Sequence, residues 1–409
     1  MIGLYIHIPF CVKKCFYCDF YSIETASRSS NLETKKESHT KIDDSLVNSF
    51  LSAIKKEIKL RTENNTNRIE VDSIFLGGGT PSLLSENQIT MLFQYLCEVF
   101  KISPHSEITI ECNPGTLTPD KLRRYKDIGI NRLSIGVQSF ISDELKFLQR
   151  IHTTNDVINS FKMAREFGFD NISIDLMFSI PRQSMENLNY SLSKAVELEP
   201  DHISAYSLIF EKGTPLYNEM KKGKISPVDE KTDSEFYEAV IDFLTESGFE
   251  QYEVSNFARD GKFCKHNLKY WHNEEYLAFG PSAHGFYNNI RYKNKRNLKT
   301  YINILESNKL PVDYEEFQND NLKLIDKIFL GLRADGIDLT KLSAEHNLNL
   351  REILKEDFAI YINENLINDH HNKISLTKNG YKICDSITVE IISKVEKSLK
   401  SNYSKEGIN

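Results

Sequence analysis

The chain has 409 residues, 40% of them hydrophobic and 27% charged, with a formal net charge of −7. That length exceeds one ordinary domain and can bury a large core, and no run approaches the roughly 18 apolar residues of a membrane span. The acidic balance argues against a general phosphate-backbone binder. No nucleic-acid partner is therefore expected, and membrane contact is expected only through a partner protein.

In chain order, residues 3–8 form the first β-rich run. The opening segment is apolar but short, and it lacks the basic start of a secretion signal. Cys11, Cys15 and Cys18 follow in the run Cys-Val-Lys-Lys-Cys-Phe-Tyr-Cys. Thiolates spaced by four and three can converge on one face of a cube, as a [4Fe–4S] cluster needs, and would leave one iron open for chemistry. A structural zinc site wants a fourth ligand, for which His7 is the local candidate. A disulfide is a poor reading because three is odd. Cluster, zinc and plain structural thiols stay open on spacing alone. The seven cysteines have no evident pairing scheme, which suits a reducing cytoplasm.

Residues 24–41 are almost wholly polar, with Ala26 and Leu32 the apolar side chains. They read as a solvated insertion beside the cysteines, with a lid as the functional alternative. Leu46, Val47, Phe50, Leu51, Ile54 and Ile58 then make one helical stripe. Further β-rich runs at 71–76, 107–110, 132–137, 171–174 and 202–208 alternate with helical stretches. That rhythm predicts a parallel sheet, open or closed as a barrel, with functional residues just past the strand C-termini.

The unusual polar residues fall at that edge. Gly77-Gly78-Gly79-Thr80 follows the second run, and bare backbone there can bind both ends of an amino acid. The plain alternative is a tight turn. Glu111 can accept from an ammonium or from ribose hydroxyls, Gln138 and Asp175 extend the ring, and Arg150 can meet a carboxylate. Helix caps or surface acids are the plain readings of Glu111 and Asp175. From residue 313 the character changes. Apolar stripes at Leu322–Leu332 spacing, two short helices, a hairpin around Asp369-His370-His371-Asn372 and a last helix suggest a winged-helix-like, mostly helical module. A packing or substrate-covering role suits it better than nucleic-acid binding.

The cysteine triad, Gly77-Gly78-Gly79-Thr80-Pro81-Ser82, Glu111-Cys112-Asn113-Pro114, residues 131–140, residues 252–258 and His266-Asn267-Leu268-Lys269-Tyr270-Trp271 resemble the radical S-adenosylmethionine proteins related to oxygen-independent coproporphyrinogen III oxidase. The resemblance spans nearly the whole chain. It implies a partial (βα)6 TIM-like barrel at 1–215, a barrel extension carrying the His-Asn-x-x-Tyr-Trp motif at 216–312, and the C-terminal winged-helix-like domain at 313–409. It also implies that Cys11, Cys15 and Cys18 hold a [4Fe–4S] cluster flanked by Tyr5 and Tyr17. Gly78, Gly79, Thr80 and Glu111 would hold S-adenosylmethionine, and Gln138, Arg150 and Asp175 match positions that bind a second copy in the oxidase.

Two departures choose the branch. The oxidases carry a long segment before the cysteines, where this chain has ten residues, and a further Cys two positions after the triad, where this chain has Phe20. Both features resemble the haem chaperone branch, in which His266 would ligate haem, with Cys264 and His272 as alternatives. The expected activity is haem binding and transfer to apo-haem proteins in the cytoplasm. An electron donor such as flavodoxin or ferredoxin would serve the cluster. Oxidative decarboxylation of porphyrinogen propionates is the alternative.

Overall fold

The chain is described here by a computed structural model covering residues 1–25 and 43–406. Six parallel strands form its centre: β1 (Ile2–Ile8), β2 (Glu70–Gly78), β3 (Lys101–Cys112), β4 (Arg132–Gln138), β5 (Ile172–Phe178) and β6 (His202–Ser207). Helices Asp44–Thr62, Glu86–Val99, Pro119–Asp127, Thr154–Glu166 and Met185–Glu197 connect consecutive strands. Each begins on a Ser, Thr or Asp whose side chain accepts from a first-turn N–H: Asp43, Ser85, Thr118, Thr153 and Ser184. These caps mark where each crossover turns into helix.

Alternation along the strands sorts the side chains. Leu4, Ile6, Ile74, Leu76, Ile110, Leu133, Ile135, Ile172 and Ile174 face the helices and make up the main core. Their neighbours Tyr5, Phe75, Glu111, Ser134, Asp175 and Ser204 line an interior chamber instead. The runs look apolar overall because both faces are covered, yet one face carries the chemistry.

The sheet continues at both ends. Strands β7 (Glu250–Gln251) and β8 (Asn256–Ala258) add antiparallel beyond β6. On the other side β9 (Tyr276–Phe279) lies parallel to β1, and β10 (His284–Tyr287), β11 (Ile290–Asn294) and β12 (Val312–Phe317) follow antiparallel. The order β12-β11-β10-β9-β1-β2-β3-β4-β5-β6-β8-β7 has two free ends, so the barrel is open.

The segment read as an extension therefore supplies both flanks of one sheet. The boundary expected at 313 falls inside β12, and the C-terminal unit starts with helix Asp320–Gly331. That unit has its own core around Ile328, Leu342, Leu354, Ile374 and Ile391. Its wing is the hairpin Ile367–His370 with Lys373–Leu376, closed by His371 and Asn372 at positive φ. Beyond Thr25 the polar segment 24–41 lies outside the described residues. Among the described residues, no helix is long and apolar enough to cross a membrane.

A buried carboxylate ties the β9–β11 flank to the barrel. Glu57 accepts from Arg61 Nε at 2.8 Å, Asn294 Nδ2 at 2.7 Å, Tyr301 OH at 2.6 Å and the Gly280 N–H at 2.9 Å. All its lone pairs are used within a site closed to water. Glu57→Ala would leave the Arg61 guanidinium buried and unpaired, so we expect a loss of about 3–5 kcal/mol in urea unfolding. Tyr301→Phe, which removes one neutral donor, should cost about 1 kcal/mol.

Candidate functional site

The cysteine loop leaves the end of β1 and returns through a short parallel pairing of Phe10–Cys11 with Ile23–Glu24. Two contacts pin its middle: Phe16 N–H donates to the Leu148 carbonyl at 3.3 Å, and Leu216 N–H donates to the Phe16 carbonyl at 3.0 Å. Phe16 meets Phe147 edge-on. Cys11, Cys15 and Cys18 are all free and half-buried, and together with Tyr17 they line a cavity of about 370 Å³. Gly78, Gly79, Thr80, Glu111, Gln138, Arg150 and Asp175 line the same cavity. Residues scattered over more than 160 positions of sequence thus share one space. Tyr5 lies deeper, in the adjoining chamber, where its hydroxyl meets His7 Nδ1 at 3.1 Å.

Gly79 is forced by close approach. Its N–H donates to the Ile8 carbonyl at 2.8 Å, and a Cβ there would lie 2.6 Å from the Phe10 carbonyl oxygen. Gly78 has φ +108°, and a Cβ would meet the His7 ring at 2.6 Å. Thr80 holds the turn to the loop: its N–H donates to the Phe10 carbonyl at 2.8 Å, and its hydroxyl points at Cys11 Sγ at 3.7 Å. Arg150 donates to Cys15 Sγ at 3.2 Å, Asn113 Oδ1 at 2.7 Å and the Gly136 carbonyl at 2.6 Å. Gln138 adopts a left-handed φ of 70° where the β4–β5 register shifts, a conformation that costs a non-glycine residue free energy and recurs at functional sites.

Glu111 accepts from the Gly78 N–H at 3.0 Å. Burial, and then the nearby Asp175 carboxylate, push its pKa up to about 8. Asp175 accepts from Ser134 Oγ at 3.1 Å, and burial raises it to about 6. Two buried carboxylates without a matching cation at hydrogen-bond distance form a place for a cationic ligand.

The chamber beneath has a volume of about 490 Å³ and is walled by Tyr5, Phe75, Tyr206, Tyr270 and Tyr276. Its rim carries Phe20, His284, Lys293 and Arg296, which sequence reasoning did not single out as a group. Alternation in short flank strands is the sequence signal for His284 and Lys293; Phe20 lies in the cysteine loop and Arg296 just past β11. Arg132, also missed, is buried in the chamber wall near Glu107 and Cys264.

His266 departs from expectation. The helix Lys265–Trp271 is docked under the barrel, where Glu107 accepts the Lys265 and His266 N–H groups, each at 3.0 Å. The His266 ring has no exposed surface and stacks on Phe75. Its Nδ1 pairs with Ser73 Oγ and its Nε2 with Tyr270 OH, both at 2.8 Å. Burial pulls its pKa down to about 3. Neither nitrogen is open to an iron, so in this structure the ring packs and orients Tyr270. Cys264 is equally enclosed, its thiol pushed up to about 12 by burial. His272 instead pairs with Asp335 at 2.9 Å, and hydrogen bonds to Asp335 and Glu274 raise it to about 9. That ion pair joins the motif helix to the C-terminal unit.

An open parallel barrel with a three-cysteine loop at its C-terminal edge is the architecture of radical S-adenosylmethionine proteins. The Radical SAM superfamily model matches residues 5–194, and the HemN C-terminal domain model matches residues 323–382. The chain is 36% identical to "Heme chaperone HemW" of Bacillus subtilis (strain 168) over 93% of this chain and 96% of that protein. It is 34% identical to the Lactococcus lactis HemW over 94% and 95%. Its fold matches the solved structure of coproporphyrinogen III oxidase (HemN) from Escherichia coli with a TM-score of 0.78, covering 96% and 89% of the two chains at 23% identity. The chain belongs to the radical SAM superfamily, within the family of the haem chaperone HemW.

Superfamily members use a [4Fe–4S] cluster and S-adenosylmethionine, and the cavity fits both. Among the described residues no three ligand side chains close around a single metal ion. The three thiols instead ring a cavity, as ligands to separate irons of one cluster must. Bare glycine backbone and two buried carboxyl groups that lack a cationic hydrogen-bond partner suit a ligand carrying an ammonium and a sulfonium.

The raised Glu111 pKa has a sign that can be checked. The folded state holds a proton that the unfolded chain has already lost, so stability falls as pH rises from the ordinary carboxylate range through about 8. In cluster-free protein, urea midpoints should decline over that window, and Glu111→Gln should flatten the decline. An equal slope in both proteins would contradict the assignment.

Proposed function

We propose that this chain is a haem chaperone: it binds haem and delivers it to apo-haem proteins. The observation carrying this reading is the near end-to-end match to HemW relatives, spanning barrel, flanks and C-terminal unit alike. Cys11, Cys15 and Cys18 would hold the [4Fe–4S] cluster, and Arg150 would fix the position of Cys15 Sγ. The Gly78-Gly79-Thr80 backbone and Glu111 would hold S-adenosylmethionine, with Tyr17, Gln138 and Asp175 completing the wall. The reduced cluster can supply one electron to the sulfonium of S-adenosylmethionine, and a flavodoxin- or ferredoxin-type donor would provide it.

The chain's own groups have separable tasks in this reading. The glycines keep the backbone exposed, the carboxylates receive positive charge, and the packed loop around Phe16 and Tyr17 shields the cavity from water. Phe20, exposed and shared between cavity and chamber, connects the cluster side to the aromatic chamber.

Anaerobic reconstitution should yield about four iron and four sulfide per chain, lost in Cys11→Ala, Cys15→Ala or Cys18→Ala. Cys97→Ala should keep them. The parent protein should bind one haem, pass it to an apo-globin, and form no protoporphyrinogen from coproporphyrinogen III. Stoichiometric decarboxylation under anaerobic turnover would establish the oxidase activity instead.

A further inference from the structure

We infer that haem sits in the aromatic chamber with its iron on His284 and a propionate on Lys293. This rests on the haem-chaperone reading and names the seat. His284 opens β10 and pairs across the flank with Lys293 on β11, so the two side chains share one face of the hairpin at the chamber rim. The imidazole is solvent-exposed. The Ser282 backbone lies beside the ring, and among the described residues no side chain hydrogen-bonds either ring nitrogen. A backbone carbonyl beside one nitrogen can orient an imidazole toward a metal through its other nitrogen, the usual arrangement behind metal-bound histidines.

The other histidines lining the chamber or packed behind its wall lack this freedom. His7 has Nδ1 against Tyr5 OH at 3.1 Å and Nε2 against the Tyr21 carbonyl at 2.7 Å. His266 is likewise satisfied at both nitrogens. Among chamber histidines, only His284 combines exposure with a free nitrogen.

The chamber suits a flat macrocycle in the remaining respects. Its volume of about 490 Å³ lies within the ordinary range of ligand sites, and five aromatic side chains give it flat walls. Lys293 forms no salt bridge among the described residues, so its ammonium is available to a carboxylate. Arg296 beside it donates to the Asp19 carbonyl oxygen at 3.1 Å, which ties the rim to the cysteine loop. Tyr270 and Asn267 of the motif helix belong to the chamber lining. The motif thus contributes a wall, positioned by His266, while the iron ligand comes from the flank hairpin. Ligation exchanges a solvent ligand of the iron for the imidazole and changes no oxidation state.

The test is a haem titration of the full-length reconstituted protein, read as electronic difference spectra. The parent should give a histidine-ligated Soret band. His284→Gly should shift that band and weaken binding about tenfold or more, and added imidazole should restore the parental spectrum, which a merely structural residue would not allow. His266→Ala should keep the parental band position even where affinity falls. Lys293→Glu should weaken binding of haem but not of its dimethyl ester, in which the propionates are blocked. A parental spectrum and affinity in His284→Gly would overturn the seat while leaving the chaperone reading standing. Imidazole rescue confined to His266→Ala would overturn it too. Failure of the parent protein to bind haem at all would sink both.

Discussion

The two-residue alternation of six parallel strands is the constraint on which this molecule depends. Each strand must present apolar side chains to the helices that cross over it, because those helices have no other core to join. The alternate positions are thereby released from packing duty. They turn toward a common axis, and since the ladder does not close, that axis remains a chamber rather than a filled core. Tyr5, Phe75, Glu111, Ser134, Asp175 and Ser204 become neighbours through this geometry.

Charge in such an interior is expensive unless it meets a partner. The structure handles its buried charges in two ways. Glu57 and Arg61 are matched atom for atom and act as a clamp on the sheet flank. Glu111 and Asp175 are held by neutral donors alone, and burial raises their pKa values. The first arrangement is complete without a ligand; the second is completed by one bearing positive charge. Arg150, locked by Asn113 and the Gly136 carbonyl, places the compensating cation on the thiol side.

The motif helix shows how a sequence pattern and its chemistry can separate. His266 looks like a haem ligand because it stands in a compact His-Asn-x-x-Tyr-Trp run beside aromatic side chains. Glu107, from a strand more than 150 positions earlier, anchors that helix beneath the barrel, and Ser73 from another strand takes the free imidazole nitrogen. Once both nitrogens are satisfied, the ring orients its neighbour. Its helix then spans two environments, with Tyr270 lining the chamber and His272 paired to the C-terminal unit.

The sequence by itself determined the parallel β/α rhythm, the cysteine spacing, the glycine turn and the polar residues at the strand ends. Each of these is written in local order, as a periodicity or as a short run whose chemistry does not need distant partners. Even the winged C-terminal unit was legible, because its hairpin and stripes are local too. The tertiary structure alone decided where the flanks go. Strands β7 to β12 are two to six residues long, and their pairing on opposite edges of one sheet is set by long-range register. It alone decided that the boundary at 313 cuts a strand, that His266 is enclosed, and that His284, Lys293 and Arg296 share a rim. Burial and a free lone pair are properties of a residue's surroundings in space, and those surroundings come from segments far apart in the chain.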